Sequence, residues 1–221
     1  MALPLRLYFA GPLFDHKDLL GNALLAASLE RTTAGRYVCI LPQDLEAASL
    51  RAVDIRNQDL QQLITCDVAL CNFDGSELDA GTVVEFMVAK FLDMPTVLLR
   101  SDFRTAGDQG QEGDPWNLMC SFYPRTRVAQ CNALAWYQEA RRAGGSLTDI
   151  IERFYQRLAT CVMTHVEAVC QEPPLPTGPQ IDLERLYQWA LTFPGGSFAD
   201  LCSDPSFIAQ VVVARRARGL V

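Results

Sequence analysis

The stretch Val68-Ala-Leu-Cys-Asn-Phe-Asp-Gly-Ser-Glu-Leu-Asp-Ala-Gly-Thr-Val-Val-Glu-Phe-Met-Val-Ala-Lys-Phe-Leu92 passes from a short apolar run, through a turn-rich segment, into a helical pattern. Val68 to Cys71 is too short for a helix and has no polar alternation, so it reads as a strand buried on both faces. Val83 to Leu92 reads as a helix, and Pro95-Thr-Val-Leu-Leu99 restarts the strand pattern. A strand, a crossover helix and a second strand of these lengths specify parallel pairing with a right-handed connection.

Working outward, the same alternation recurs. Leu5-Arg-Leu-Tyr-Phe-Ala10 ends at Gly11-Pro12, residues 16–33 carry apolar side chains at helical spacing, and Tyr37-Val-Cys-Ile-Leu41 stops at Pro42. A helix over 53–65 has Ile55, Leu60, Leu63 and Ile64 on one side, a last strand lies near Val128, and a long helix spans 148–171. The expected fold is α/β, a doubly wound, mostly parallel sheet of about five strands, whose ligands sit at the carboxyl ends of the strands. Residues 101–124 form a polar, Gly-rich loop too long for a passive connection. The main domain is expected over 1–171, a stiff Pro-rich linker over 172–180, and a small helical C-terminal extension over 181–221, with short helices at 181–193 and 205–217 around Pro194-Gly-Gly-Ser197.

Composition narrows the function. With 221 residues, 49% of them apolar, the chain can bury one sizeable core. The net charge of −7 and scattered cations leave no basic face for nucleic acid. No apolar run approaches the ~20 residues of a membrane span, and MALPLRLYFAG lacks the basic start and apolar core of a signal peptide, so a cytoplasmic protein is expected. Eight cysteines without CxxC pairs read as buried thiols, and with two histidines no metal site is expected. Arg215, Arg216 and Arg218 read as a solvated helix end, with an oligomer contact as the alternative.

The acids are the chemical signal. Thr82-Val-Val-Glu85 fits a capping box, in which Thr82 opens the helix and Glu85 folds back on its amide. That accounts for Glu85 alone and leaves Asp79, Asp54 and Asp59 unexplained. Asp67 precedes its strand, lies at the opposite end and reads as structural, whereas Asp79 and Glu85 follow theirs and fall at the ligand end. Asp74 and Glu77 read as turn and solvent residues.

Tyr8-Phe-Ala-Gly-Pro12, Asp54-Ile-Arg56, Cys66-Asp67, Asp79-Ala-Gly-Thr-Val-Val-Glu85 and Asn117-Leu-Met119 stand in the order and spacing of one family. Over residues 5 to 130 the chain resembles the nucleoside 2-deoxyribosyltransferases. The resemblance implies a flavodoxin-like domain in which Glu85 attacks the anomeric carbon to give a covalent 2-deoxyribosyl-enzyme, after which a second nucleobase takes the sugar with retained configuration. It implies that Tyr8 holds the nucleophile by a hydrogen bond, that Asp59 manages the proton of the departing base, and that Asp79 binds the sugar 5′-hydroxyl. Asp54, Gly11 and Phe14 complete the expected substrate site, with no cofactor. Asn117 and Met119 are expected to complete the site of a neighbouring subunit, which makes the protein a homo-oligomer. Each residue also has a plain reading: Tyr8 as a core aromatic, Asp59 as a helix-surface residue, Asp79 as a turn former, and Trp116, Leu118 and Met119 as a loop anchor covering the core.

The family includes hydrolases of deoxynucleoside 5′-monophosphates, which resemble this chain but carry Ser at the position of Asp79. A carboxylate there repels a 5′-phosphate, since like charges ~4 Å apart cost several kcal/mol at intermediate dielectric, so free 2′-deoxynucleosides and nucleobases are the expected partners. Hydrolysis of deoxynucleosides or deoxynucleoside 5′-monophosphates stays open beside transfer, and so does a catalytically silent nucleotide-binding module with the helical tail as its partner surface.

Overall fold

The computed structural model describes residues 3–45, 51–104, 114–175 and 182–221. The elements run β1 (Leu5–Ala10), α1 (His16–Thr32), β2 (Tyr37–Ile40), α2 (Ala52–Thr65), β3 (Val68–Asn72), α3 (Ala80–Phe91), β4 (Thr96–Arg100), β5 (Thr126–Gln130), α4 (Ala133–Arg142), α5 (Leu147–Cys170), α6 (Leu183–Thr192), α7 (Phe198–Leu201) and α8 (Phe207–Ala217). All five strands are parallel, in the order β2-β1-β3-β4-β5. This is the flavodoxin-like doubly wound sheet, and its direction of winding reverses between β1 and β3. At that reversal Ala10 pairs with Cys71, and a Cβ on Gly11 would come within 3.1 Å of the Asn72 Cβ. Glycine lets the strand ends approach there.

The strand pleat divides the core. Leu7 and Phe9 join Leu25, Leu29, Leu158, Val162 and Val166 on the α1/α5 side. Tyr8 and Ala10 face Leu60, Leu63, Phe86 and Ala89 on the α2/α3 side. The second cluster also contains Tyr187, Leu191, Phe198, Ile208 and Val212. Helices α6 to α8 therefore pack into the face of the sheet that carries α2 and α3.

Three details depart from the sequence reading. Helix α3 begins at Ala80 and not near Val83, because Asp79 and not Thr82 is its N-cap: its Oδ2 accepts from the Thr82 amide at 2.7 Å and from the Thr82 hydroxyl at 2.9 Å. Helix α4 is unforeseen; only Ala140 of it is buried, so its apolar signal is faint. The third concerns the arginines at the end of α8. Arg215 is 2% exposed and donates to the carbonyls of Ile64 (3.1 Å), Cys66 (2.8 Å) and Leu92 (3.4 Å) and to the Tyr187 hydroxyl. Arg218 pairs with Asp67, itself buried and accepting from the Arg6 amide at 2.7 Å. A guanidinium can reach several carbonyls at once, so these two cations lock the tail to the sheet and are not a solvated helix end.

Candidate functional site

A cavity of about 640 Å³ opens at the carboxyl ends of β1 and β3, between α2, α3 and the segment after β1. Its position follows from the sheet: helices diverge where the winding reverses, and the strand ends form the floor. Apolar walls come from Leu13, Phe14, Pro42, Leu45, Ile55 and Val84, while Arg56, Gln58, Asp59, Asp79 and Glu85 supply polar groups.

Three sets of contacts fix the segment that leads into α3 and its acids. Asp74 accepts from the Ser101 amide (2.6 Å), the Ser101 hydroxyl (2.5 Å) and the Asp102 amide (2.8 Å). It clasps the ends of β3 and β4 together and is not a solvent residue. The fully buried Arg100 donates Nη1 to the carbonyls of Phe73 (2.5 Å) and Gly75 (2.8 Å). Asp79 then caps α3, and a Cβ on Gly81 would stand 3.1 Å from its capping oxygen. With the helix start set, Glu85 faces the cavity and the strand floor.

There the Tyr8 hydroxyl donates to Glu85 Oε1 at 2.5 Å. Burial pushes the Glu85 carboxyl up to about 7; the Tyr8 hydrogen bond opposes this, and the charges of Asp59 and Asp79 add to it. Burial and the Glu85 carboxylate together raise the Tyr8 phenol, which stays a donor. Across the cavity, burial alone raises Asp59 to about 6. Two carboxyls whose proton affinities straddle the neutral range, one of them held by a phenol, are suited to a reaction that needs one charged and one protonated acid.

The family model for nucleoside 2-deoxyribosyltransferase matches residues 7–119, just over half of the chain. The chain belongs to the nucleoside 2-deoxyribosyltransferase family. No curated protein matches it. Among solved structures, a conserved protein from Enterococcus faecalis V583 is 25% identical, covering 70% of this chain and 99% of that one, with a TM-score of 0.47. A 2-desoxiribosyltransferase from Leishmania mexicana is 24% identical over 54% of this chain and 87% of that one, at 0.44. A 2-deoxyribosyltransferase from Bacillus psychrosaccharolyticus is 19% identical over 45% and 74%, at 0.36.

Six of the residues singled out in this deoxyribosyltransferase-family sequence, Tyr8, Gly11, Phe14, Asp59, Asp79 and Glu85, lie at one site: five line the cavity, and Tyr8 is tied to Glu85 beneath it. Asp54 is not among the lining residues; it faces Arg51 at 3.6 Å near the start of α2. Asn117 and Met119 line a second cavity of about 770 Å³ with Glu77, Val83 and Trp116, and the two cavities share only Ala80. Trp116 is buried and donates to the Ser121 hydroxyl at 3.1 Å, whereas Leu118 and Met119 are 45% and 69% exposed. The tryptophan anchors the loop, and the two residues after Asn117 do not cover the core. Residues 105–113 of the expected functional loop, and 176–181 at the linker, lie outside the described residues.

The wall residues Pro42, Ile55 and Val84 carry no site signal in the sequence, and Leu13 and Arg56 stand out there only as members of Gly11-Pro-Leu-Phe14 and Asp54-Ile-Arg56. Arg56 stands three residues before Asp59, a spacing that places both on one helix face. Among the described residues, no three His, Cys, Asp or Glu side chains are grouped to hold a metal ion, and no helix is long and apolar enough to cross a membrane.

Proposed function

We propose that this protein transfers 2-deoxyribose between nucleobases through a glycosyl ester on Glu85, with net retention. The observation that carries the reading is the Tyr8–Glu85 hydrogen bond beside the cavity that Asp59 also lines. In the first half-reaction a Glu85 oxygen bonds to C1′ as the C1′–N bond breaks, and the proton of Asp59 passes to the departing base. In the second, the nitrogen of an incoming base bonds to C1′ from the face the first base left, its proton returns to Asp59, and the Glu85 carboxylate is released. Tyr8 keeps one Glu85 oxygen engaged and so orients the other toward the sugar. Asp79, whose Oδ2 is committed to capping α3, is proposed to read the sugar 5′-hydroxyl with its other oxygen.

Incubation with deoxyinosine and free cytosine is expected to yield deoxycytidine and hypoxanthine by chromatography, and deoxyinosine 5′-monophosphate is expected to turn over more slowly. Absence of both exchange and free base denies the reading; release of free base without exchange assigns the chain to hydrolysis. The reacting form, Glu85 ionised and Asp59 protonated, inverts the resting order of about 7 and about 6 and is the minor singly protonated form of the pair, so the rate is expected to peak between about pH 6 and about pH 7 and to fall on either side, the two limits belonging to the coupled pair. Asp59→Asn removes the proton donor. It is expected to cost about 10²–10⁴-fold in rate and to abolish the alkaline fall. An Asp59→Asn enzyme that keeps a bell-shaped profile shows that another group protonates the base.

Asn117 and Met119 are proposed to complete the cavity of a neighbouring subunit. Light scattering of the active protein is expected to give an oligomer. A monomer with full activity rules the shared site out.

A further inference from the structure

The turn that joins α6 to α7 reaches back to the cavity helix. Gly195, Gly196 and Ser197 are three successive residues with left-handed backbone, φ +60°, +55° and +61°, which points two consecutive carbonyls at α2. Gly195 O accepts from Arg56 Nη2 at 3.1 Å, and Gly196 O accepts from Asn57 Nδ2 at 2.8 Å. The Asn57 Oδ1 in turn accepts from Arg56 Nε at 3.1 Å and Nη2 at 2.7 Å. Asn57 is 4% exposed, so it anchors the clasp from beneath, while Arg56 and the two glycines form its exposed side. It also requires glycine, because a Cβ on Gly196 would lie 2.7 Å from Arg56 Nη2 and 2.8 Å from Val53 Cγ2.

Arg56 is thus held along one edge of its guanidinium, while its side chain lines the cavity beside Asp59. Nη1 makes no hydrogen bond among the described residues and keeps its donors. A guanidinium accepts no hydrogen bond and keeps its charge, so a group facing it must be an acceptor. An arginine already immobilised also loses little side-chain freedom on binding. On a purine the substituent at C6 lies next to N7, a nitrogen that can take a proton as the base departs. A carbonyl there accepts from Arg56, whereas an amino group presents a donor to a cation and leaves both unpaired.

We propose that Arg56, fixed by the Gly195–Gly196 turn, is a specificity-determining residue that reads a carbonyl oxygen on the base, so that the site favours 6-oxopurine over 6-aminopurine deoxynucleosides. The inference rests on the deoxyribosyl-transfer reading of the cavity. It also assigns the C-terminal extension a part in substrate choice.

Calorimetric titration of the full chain with hypoxanthine and with adenine tests recognition apart from turnover. Hypoxanthine is expected to bind at least about tenfold more tightly, and deoxyinosine to show the same advantage over deoxyadenosine in kcat/KM, carried by KM. In Arg56→Gln, whose amide can donate or accept, both ratios are expected to collapse to within about threefold through loss on the oxopurine side, and Arg56→Lys is expected to retain part of the preference. Equal binding of the two bases by the native protein, binding of neither, or an equal loss on both bases in Arg56→Gln overturns the proposal. Discrimination between the bases without any exchange sinks the transfer reading and leaves the recognition standing.

Discussion

Glu85→Gln is expected to lower base exchange by at least about three orders of magnitude, because the amide cannot form the glycosyl ester, and at the same time to make the fold more stable above about pH 7. The second effect follows from burial. The folded protein holds the Glu85 carboxyl at about 7 against an ordinary 4.5, so it favours the protonated form. A raised carboxyl contributes its stability fully below its unfolded value and loses it as pH rises through the folded value. Ionising Glu85 therefore costs the native state on the order of 3 kcal/mol by pH 8. Glutamine is neutral at every pH and can still accept from Tyr8. Thermal melts are expected to show the variant above the native protein at pH 8, with the difference shrinking as pH falls and gone below about pH 4.5. A variant that melts lower at pH 8 shows that the carboxylate is stabilised where it sits, and exchange at the native rate removes Glu85 as the nucleophile.

The other large effect is expected at Arg215. Its guanidinium serves three backbone carbonyls and the Tyr187 hydroxyl in a site 2% exposed. Arg215→Leu fills much of the volume but strands the carbonyls of Ile64 and Cys66 at the junction of α2 and β3, and each buried group left without a partner costs about 1–3 kcal/mol. The expected loss is about 3–5 kcal/mol, read as a lower denaturation midpoint in urea, with Arg215→Lys recovering part of it. A midpoint unchanged by Arg215→Leu shows that the tail is not tied to the sheet by this residue. Since α6 to α8 share a core cluster with Phe86, Leu60 and Leu63, the loss is expected to carry the cavity lined by Glu85 with it.

The first four strands of this protein were legible because each is a short, mainly apolar run closed by proline, glycine or a turn acid, whereas β5, Thr-Arg-Val-Ala-Gln, is mostly polar and showed only through Val128. The placement of two candidate acids was legible, since Asp79 and Glu85 follow β3 and both line the cavity at the carboxyl ends of the strands. What could not be read was pairing at a distance. Arg215 and Arg218 look from the sequence like any basic helix end, and only the positions of Ile64, Cys66 and Asp67 reveal them as buried links. Asp74 looks like a turn former, yet its partners Ser101 and Asp102 lie on the far side of a helix and a strand. The helix start was ambiguous for a local reason: Asp79 and Thr82 are both good caps three residues apart, and the hydroxyl of one ends up serving the carboxylate of the other.

The shared core of α2, α3 and the C-terminal helices also governs the order in which the protein can assemble as it leaves the ribosome. The face that buries Leu7 and Phe9 draws its last members from α5, around Val166 and Val169, so it can close once about three-quarters of the chain has emerged. The opposite face counts Ile208 and Val212 among its members, so its cluster is complete only once α8 has emerged. At the ~5–20 residues per second of translation, the half of the molecule that carries Asp59, Asp79 and Glu85 waits seconds longer than the other for its last helices.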